Sequence, residues 1–148
     1  MKIQLEPTTF RIPVTEDWKT CEDKEWRESP TKDVWEHETS GEQLFTWDAA
    51  MRETKNVGKR LPTDEELEGM EPKDFTGLLV GSRSTDGSFG NRGSLTGVWS
   101  SSDFGGDAWT RYLHSGDSTV YRGAYSKAYG FSARCVLEKN TDSLLLTT

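Results

Sequence analysis

Cysteine and histidine are both scarce, two of each in 148 residues. Cys21 and Cys135 are too few for a disulfide framework and have no metal-ligand spacing, which excludes a stapled mini-protein or a zinc ribbon. A single long-range bridge between them stays open. His37 is far from His114 in sequence, so His114 reads as a contact residue rather than a general base or metal ligand. Nowhere do eighteen apolar residues follow one another, and the opening MKIQLEPTTF lacks the apolar run of a signal peptide. The expected protein is soluble, not inserted in a membrane, without a signal peptide and cytoplasmic when made. No Lys/Arg-rich stripe is present to neutralise phosphates, and the net charge is −7, which disfavours nucleic acid and anionic membranes as partners. The acidity is uneven: residues 1–80 hold 19 acids against 11 bases, residues 81–148 hold 6 against 7.

Aliphatic side chains are few as well, yet six Trp, six Phe and four Tyr supply the area a core needs. A chain of this length buries enough surface to fold as one domain, read here as residues 1–148. Within it, residues 1–43 form an N-terminal extension of short strand-like pieces, KIQLE, FRIPV and DVWEH, with Trp18, Trp26 and Trp35 roofing the core. Two helix signatures follow. Thr46 caps a helix whose Trp47, Ala50, Met51 and Thr54 share one face, and Gly58 supplies its left-handed stop. Thr63 and Glu66 then form a T-x-x-E capping box that sets Leu67 and Met70 on one face of a second, short helix.

From residue 77 the composition turns to Gly, Ser and aromatics, and four strands are expected over 98–102, 108–114, 119–125 and 130–138. Their connections are too short for crossover helices, so they pair antiparallel and the class is α+β. Alternation sorts their side chains. Trp109, Arg111 and Leu113 form the expected buried side; Ala108, Thr110, Tyr112 and His114 face outward. Val120 turns inward and Thr119 and Tyr121 join the open face. Phe131, Ala133, Cys135 and Leu137 point one way as an apolar edge, with Cys135 in the core. Arg134 alternates with that set and is expected to pair with an acid or a carbonyl. The closing SLLLTT falls in a tail over 139–148, which either packs on a neighbour or is partly ordered. Tyr, Thr, Ser, Gly and Asp are also what binding loops favour, because Tyr gives large contact area for little rotamer entropy while small residues adapt.

The ordered motifs TWDAAM…GKRLPTDEEL, GSFGNRGSLTGVWSSS, DAWTRYL and YGFSARCV, over residues 44–138, resemble the Fibrobacter succinogenes major paralogous domain. That family sits in the wider C-type lectin-like group, with the formylglycine-generating enzymes and the variable proteins of diversity-generating retroelements. The resemblance implies a C-type lectin-like fold: two helices packed on a mostly antiparallel sheet with long loops. It implies a non-enzymatic receptor of a phage, virus or microbial host, with no cofactor, no metal and no catalytic residue, working at a virion or cell surface on a protein or cell-surface ligand. The ligand-binding residues it implies are Phe104, Thr110, Tyr112, His114, Asp117, Thr119, Tyr121 and Tyr125, rewritten in such proteins by adenine-specific mutagenesis.

Randomising the adenines of AAC codons never yields Trp, Gln, Lys, Glu or Met, and residues 103–130 contain only Trp109 and Lys127 from that set. Residues 81–102 are as depleted, with Trp99 alone, so the signal belongs to the whole Gly/Ser-rich half. Three rival functions remain in view. A formylglycine-type oxidase needs a reactive cysteine pair, whereas Cys135 lies in the framework and Cys21 outside the matched region. A calcium-dependent lectin needs E-P-N, Q-P-D or W-N-D motifs, none of which is present, leaving Asp103, Asp107 and Asp117 as chance ligands. A structural decoration module would share the fold without a selected ligand.

Overall fold

Thr46 starts the first helix as its sequence requires: the Ala49 N–H donates to Thr46 Oγ1 at 3.2 Å in a computed structural model that describes residues 3–75 and 79–138. The expected tail over 139–148 lies outside the described residues. Helix α1 (Trp47–Asn56) buries Ala49, Ala50 and Thr54, and Gly58 takes the chain onward at φ +75°. Helix α2 (Asp64–Leu67) is a single turn held by its capping box: the Glu66 N–H donates to Thr63 Oγ1 at 3.1 Å and the Thr63 N–H to Glu66 Oε1 at 2.8 Å. Arg60, donating to the same carboxylate at 2.8 and 2.9 Å, holds the Glu66 carboxyl down at about 2. Leu67 and Met70 are buried beneath this turn, as their spacing predicts.

Four short strands, β1 (Lys19–Thr20), β2 (Trp26–Glu28), β3 (Val34–His37) and β4 (Gln43–Phe45), pair antiparallel in chain order. DVWEH supplies β3, but among the described residues of KIQLE and FRIPV no strand forms. KIQLE contributes one bridge, Leu5 to Val136. In FRIPV the place of a neighbouring strand is taken by the buried Gln43 side chain, which accepts from the Ile12 N–H and donates to the Ile12 carbonyl, both at 2.8 Å. A hairpin of β5 (Ser82–Arg83) and β6 (Phe89–Gly90) follows, then a three-stranded antiparallel sheet of β7 (Leu95–Phe104), β8 (Asp107–His114) and β9 (Tyr121–Ser126). The fold is thus α+β with mostly antiparallel sheets and two helices.

The strand expected over 130–138 is replaced by a run of single bridges to different elements: Gly130 to Arg83, Phe131 to Phe45, Ser132 to Val98 and Val136 to Leu5. Shared in this way it forms no ladder, yet every residue from Phe131 to Val136 is buried. It stitches the two larger sheets and the N-terminal segment together. Cys135, fully enclosed there, is a free thiol that burial pushes up to about 12, and Cys21 is also free.

The central core gathers Phe45, Ala49, Leu61, Trp99 and Phe131, with Trp18 and Trp47 partly buried at its margin. Trp26 and Trp35 fill a second cluster with Leu44 and Val80. Phe131 lies directly over Gly97, where an added Cβ would fall 2.6 Å from Phe131 Cδ1. Gly97→Ala is therefore expected to destabilise the fold by about 1–3 kcal/mol, the usual cost of overpacking, read as a lower urea midpoint at unchanged slope.

Candidate functional site: a tyrosine face on the three-stranded sheet

Pairing across β7, β8 and β9 puts Trp99 opposite Thr110, Thr110 opposite Gly123, and Tyr112 opposite Tyr121, so these residues share one face. That face is not open along its whole length. Ala108 and Thr110 are 0% exposed, because the central core reaches under this end of the sheet. The expectation of an exposed Thr110 is thereby corrected: it faces the expected side but is fully enclosed. Alternation gives the side a residue faces, while the extent of the packing layer decides its exposure.

Beyond Thr110 the face emerges as an aromatic array. Tyr112 and Tyr121 stack with ring centroids 5.4 Å apart and planes 21° apart, and His114 stands edge-on to them at 5.7 and 5.6 Å. Tyr125 meets Tyr112 edge-on at 5.9 Å and on its inner side contacts Tyr129 and Phe131 at 5.4 and 5.2 Å. Gly123 makes this possible, since a Cβ there would stand 3.0 Å from the Tyr125 ring and 3.3 Å from the Tyr112 ring. The three tyrosines are half-buried and His114 is exposed. The surface therefore presents ring edges and faces that are already braced from behind.

Asp117 lies at the outer end of the array. Its Oδ2 accepts from Tyr121 Oη at 2.6 Å and its Oδ1 from the Thr119 N–H at 3.0 Å. Those two bonds pull the Asp117 carboxyl below its ordinary range, and the same contact lifts the Tyr121 hydroxyl above its own. Burial, then the neighbouring Tyr112, raises Tyr125. Both hydroxyls stay protonated at neutral pH. Thr119 is exposed and joins the cluster through its backbone, while Val120 packs inward against the cluster of Leu67, Met70 and Leu113. The structure thus brings together Tyr112, His114, Asp117, Thr119, Tyr121 and Tyr125.

Phe104 stands apart from them. It is 57% exposed, but its ring packs on Trp109 at 4.9 Å on the opposite face of the sheet. Trp109 is itself only half-buried, under the guanidinium of Arg122 at 3.5 Å. Arg122 reaches Asp64 Oδ2 with two nitrogens, at 2.9 and 2.6 Å, and the buried Arg111 donates to Asp64 Oδ1 at 2.9 Å and to the Asp64 carbonyl at 3.0 Å. Burial alone would raise the Asp64 carboxyl; the hydrogen bonds and charges of Arg122 and Arg111 outweigh it and hold the group below its ordinary range. Sequence reasoning missed this carboxylate. The signal was Arg111 on a strand face otherwise marked by Trp109 and Leu113, since an arginine there needs an acid.

Among the described residues no group of three His, Cys, Asp or Glu could hold a metal ion. Asp103 instead faces Lys127 at 3.3 Å. None of the described helices is long and apolar enough to cross a membrane. Compared with known protein families, curated proteins and solved structures, the chain finds no match.

Proposed function

We propose that this chain is a non-enzymatic ligand-binding protein with a C-type lectin-like fold, and that its tyrosine face is the diversified surface of a retroelement variable protein. The observation that carries this reading is the half-exposed stack of Tyr112 and Tyr121 with His114 and Asp117, seated on a buried floor. Amphipathic rings held rigidly lose little entropy on binding, and such anchors concentrate affinity. In favour of a binding rather than a redox role, desolvation lifts both thiols above the usual cysteine range, so neither is a ready nucleophile. The protein ligand is expected to seat on the ring array, with the Asp117 carboxylate and the Tyr hydroxyls at its polar margin.

Two measurements test the reading. Sequencing the flanking DNA should find a reverse transcriptase and a near-copy of the codons for about residues 100–137 that differs at adenines; their absence counts against diversification. For a partner isolated on the immobilised protein, Tyr121→Ala should weaken binding by about 2 kcal/mol, roughly 30-fold, as expected for a hot-spot aromatic. Its melting temperature should stay close to the parent value, because the ring is half-exposed. Unchanged affinity in both Tyr121→Ala and Tyr112→Ala would sink the assignment of this face.

A further inference from the structure

A second concavity, of about 620 Å³, lies between the four-stranded sheet and the β5–β6 hairpin, away from the tyrosine face. Arg83 reaches it from β5. Its guanidinium lies over the Trp35 ring at 4.1 Å and near the Phe89 ring at 5.7 Å. Gly87 leaves room for it: a Cβ there would stand 3.2 Å from Arg83 Nη2. Trp35 is itself fixed, 2% exposed with its indole N–H donating to Glu28 Oε2 at 2.9 Å, and Phe89 stacks on Trp26 at 4.8 Å. The cation is thus held in place by rings without a direct ion pair among the described residues, and its charge is felt by Asp86 on the β5–β6 hairpin.

Its donors are unspent. Arg83 Nε is buried without a hydrogen-bond partner, and among the described residues the guanidinium makes no ion pair. Most other arginines of the chain grip carboxylates: Arg11, Arg52, Arg60, Arg92, Arg111 and Arg122 all do so within 3.2 Å. A fixed guanidinium fork is suited to a planar oxyanion, taken in two parallel hydrogen bonds. The opposite contribution comes from the β1–β2 side, where Glu22, Asp23 and Glu28 line the same concavity and outnumber Lys19. Asp23 Oδ1 accepts from two backbone N–H groups, which fixes that carboxylate at the edge. A dianion would be repelled by this wall; a single carboxylate carried with a positive group would satisfy both sides.

We infer that this concavity is a second binding site, taking the C-terminal carboxylate of a basic peptide on Arg83 with the peptide's cationic side chain against Glu22 and Asp23. It is independent of the tyrosine face and survives the failure of that reading.

The test titrates ¹⁵N-labelled protein with the tripeptide Lys-Ala-Ala, its C-terminal amide and Glu-Ala-Ala, following the Trp35 indole N–H signal. Lys-Ala-Ala should shift that signal saturably, with amidation or the Lys-to-Glu exchange weakening binding at least tenfold. Arg83→Gln should bind acid and amide equally weakly, while Arg83→Lys, which keeps the charge and loses the fork, should fall between. Thermal unfolding of both variants checks that they remain folded. No saturable shift by Lys-Ala-Ala at millimolar concentration, or a preference for the free acid that persists in Arg83→Gln, overturns the inference.

Discussion

Trp99→Ala is expected to be the most damaging single truncation, costing about 3–5 kcal/mol, the range for large aromatics removed from a core. The indole is 0% exposed, meets Phe131 edge-on at 5.0 Å and donates to the Phe45 carbonyl at 2.7 Å. Removal leaves a cavity and takes one of two donors from the Phe45 carbonyl, which keeps the Phe131 N–H at 3.0 Å, so the cavity carries most of the cost. The surroundings cannot close the gap, because Thr110 across the ladder is held by backbone pairing on both sides. Since domains of this kind are stable by only about 5–15 kcal/mol, the variant should lose a large share of its stability and show a sharply lower urea midpoint. A change below about 1 kcal/mol would mean the site repacks, contrary to the packing described. Trp99→Phe, which keeps most of the area but not the donor, should fall between.

Asp64→Ala comes second, with an expected loss of about 3 kcal/mol, the lower end for a broken buried ion pair. Its effect is uneven across the two arginines. Arg122, with a side chain 46% exposed, can turn to water, whereas Arg111, 10% exposed, is left enclosed without a counter-charge. The pH dependence follows from the lowered carboxyl pKa. The stabilisation is complete above the unfolded value of about 4 and is lost as pH falls through the lower folded value. The parent protein should therefore lose stability at this group as pH falls below about 4, and Asp64→Asn should be flatter over that acid window. Urea midpoints of both proteins across the window check this; parallel curves would show that Asp64 is not coupled to folding.

What could be read from the residues was whatever local chemistry decides. Thr46, Gly58 and the Thr63–Glu66 box place both helices because each cap satisfies its own backbone groups, with no help from distant chain. DVWEH gives β3 because its ladder partners, β2 and β4, are the neighbouring segments of chain. The last expected strand failed on partners: residues 130–138 bond to elements from four parts of the chain, and no local pattern encodes that division. FRIPV failed because Gln43, 31 residues from Ile12, stands in for a strand. On the site, alternation made the outward direction of Tyr112, His114, Thr119 and Tyr121 legible, whereas Asp117 and Tyr125 were implied only by the family resemblance. The enclosure of Thr110 was not legible, since it depends on its place in the middle strand, opposite Trp99 and over the core end of the sheet. The Arg83 concavity was invisible because β1 and the β5–β6 hairpin meet only in three dimensions.

The ring array has a graded footing. It begins at His114 and Tyr121 on the outside, descends through Tyr112 and Tyr125, and roots in Phe131 and Trp99. Tolerance to amino-acid exchange should follow that depth. In a library randomised at 114 and 121 most clones should fold, in one randomised at 112 and 125 fewer, and in one randomised at 99 and 131 almost none. Such a staircase would let a lineage explore new contacts at the rim while inheriting an unaltered foundation.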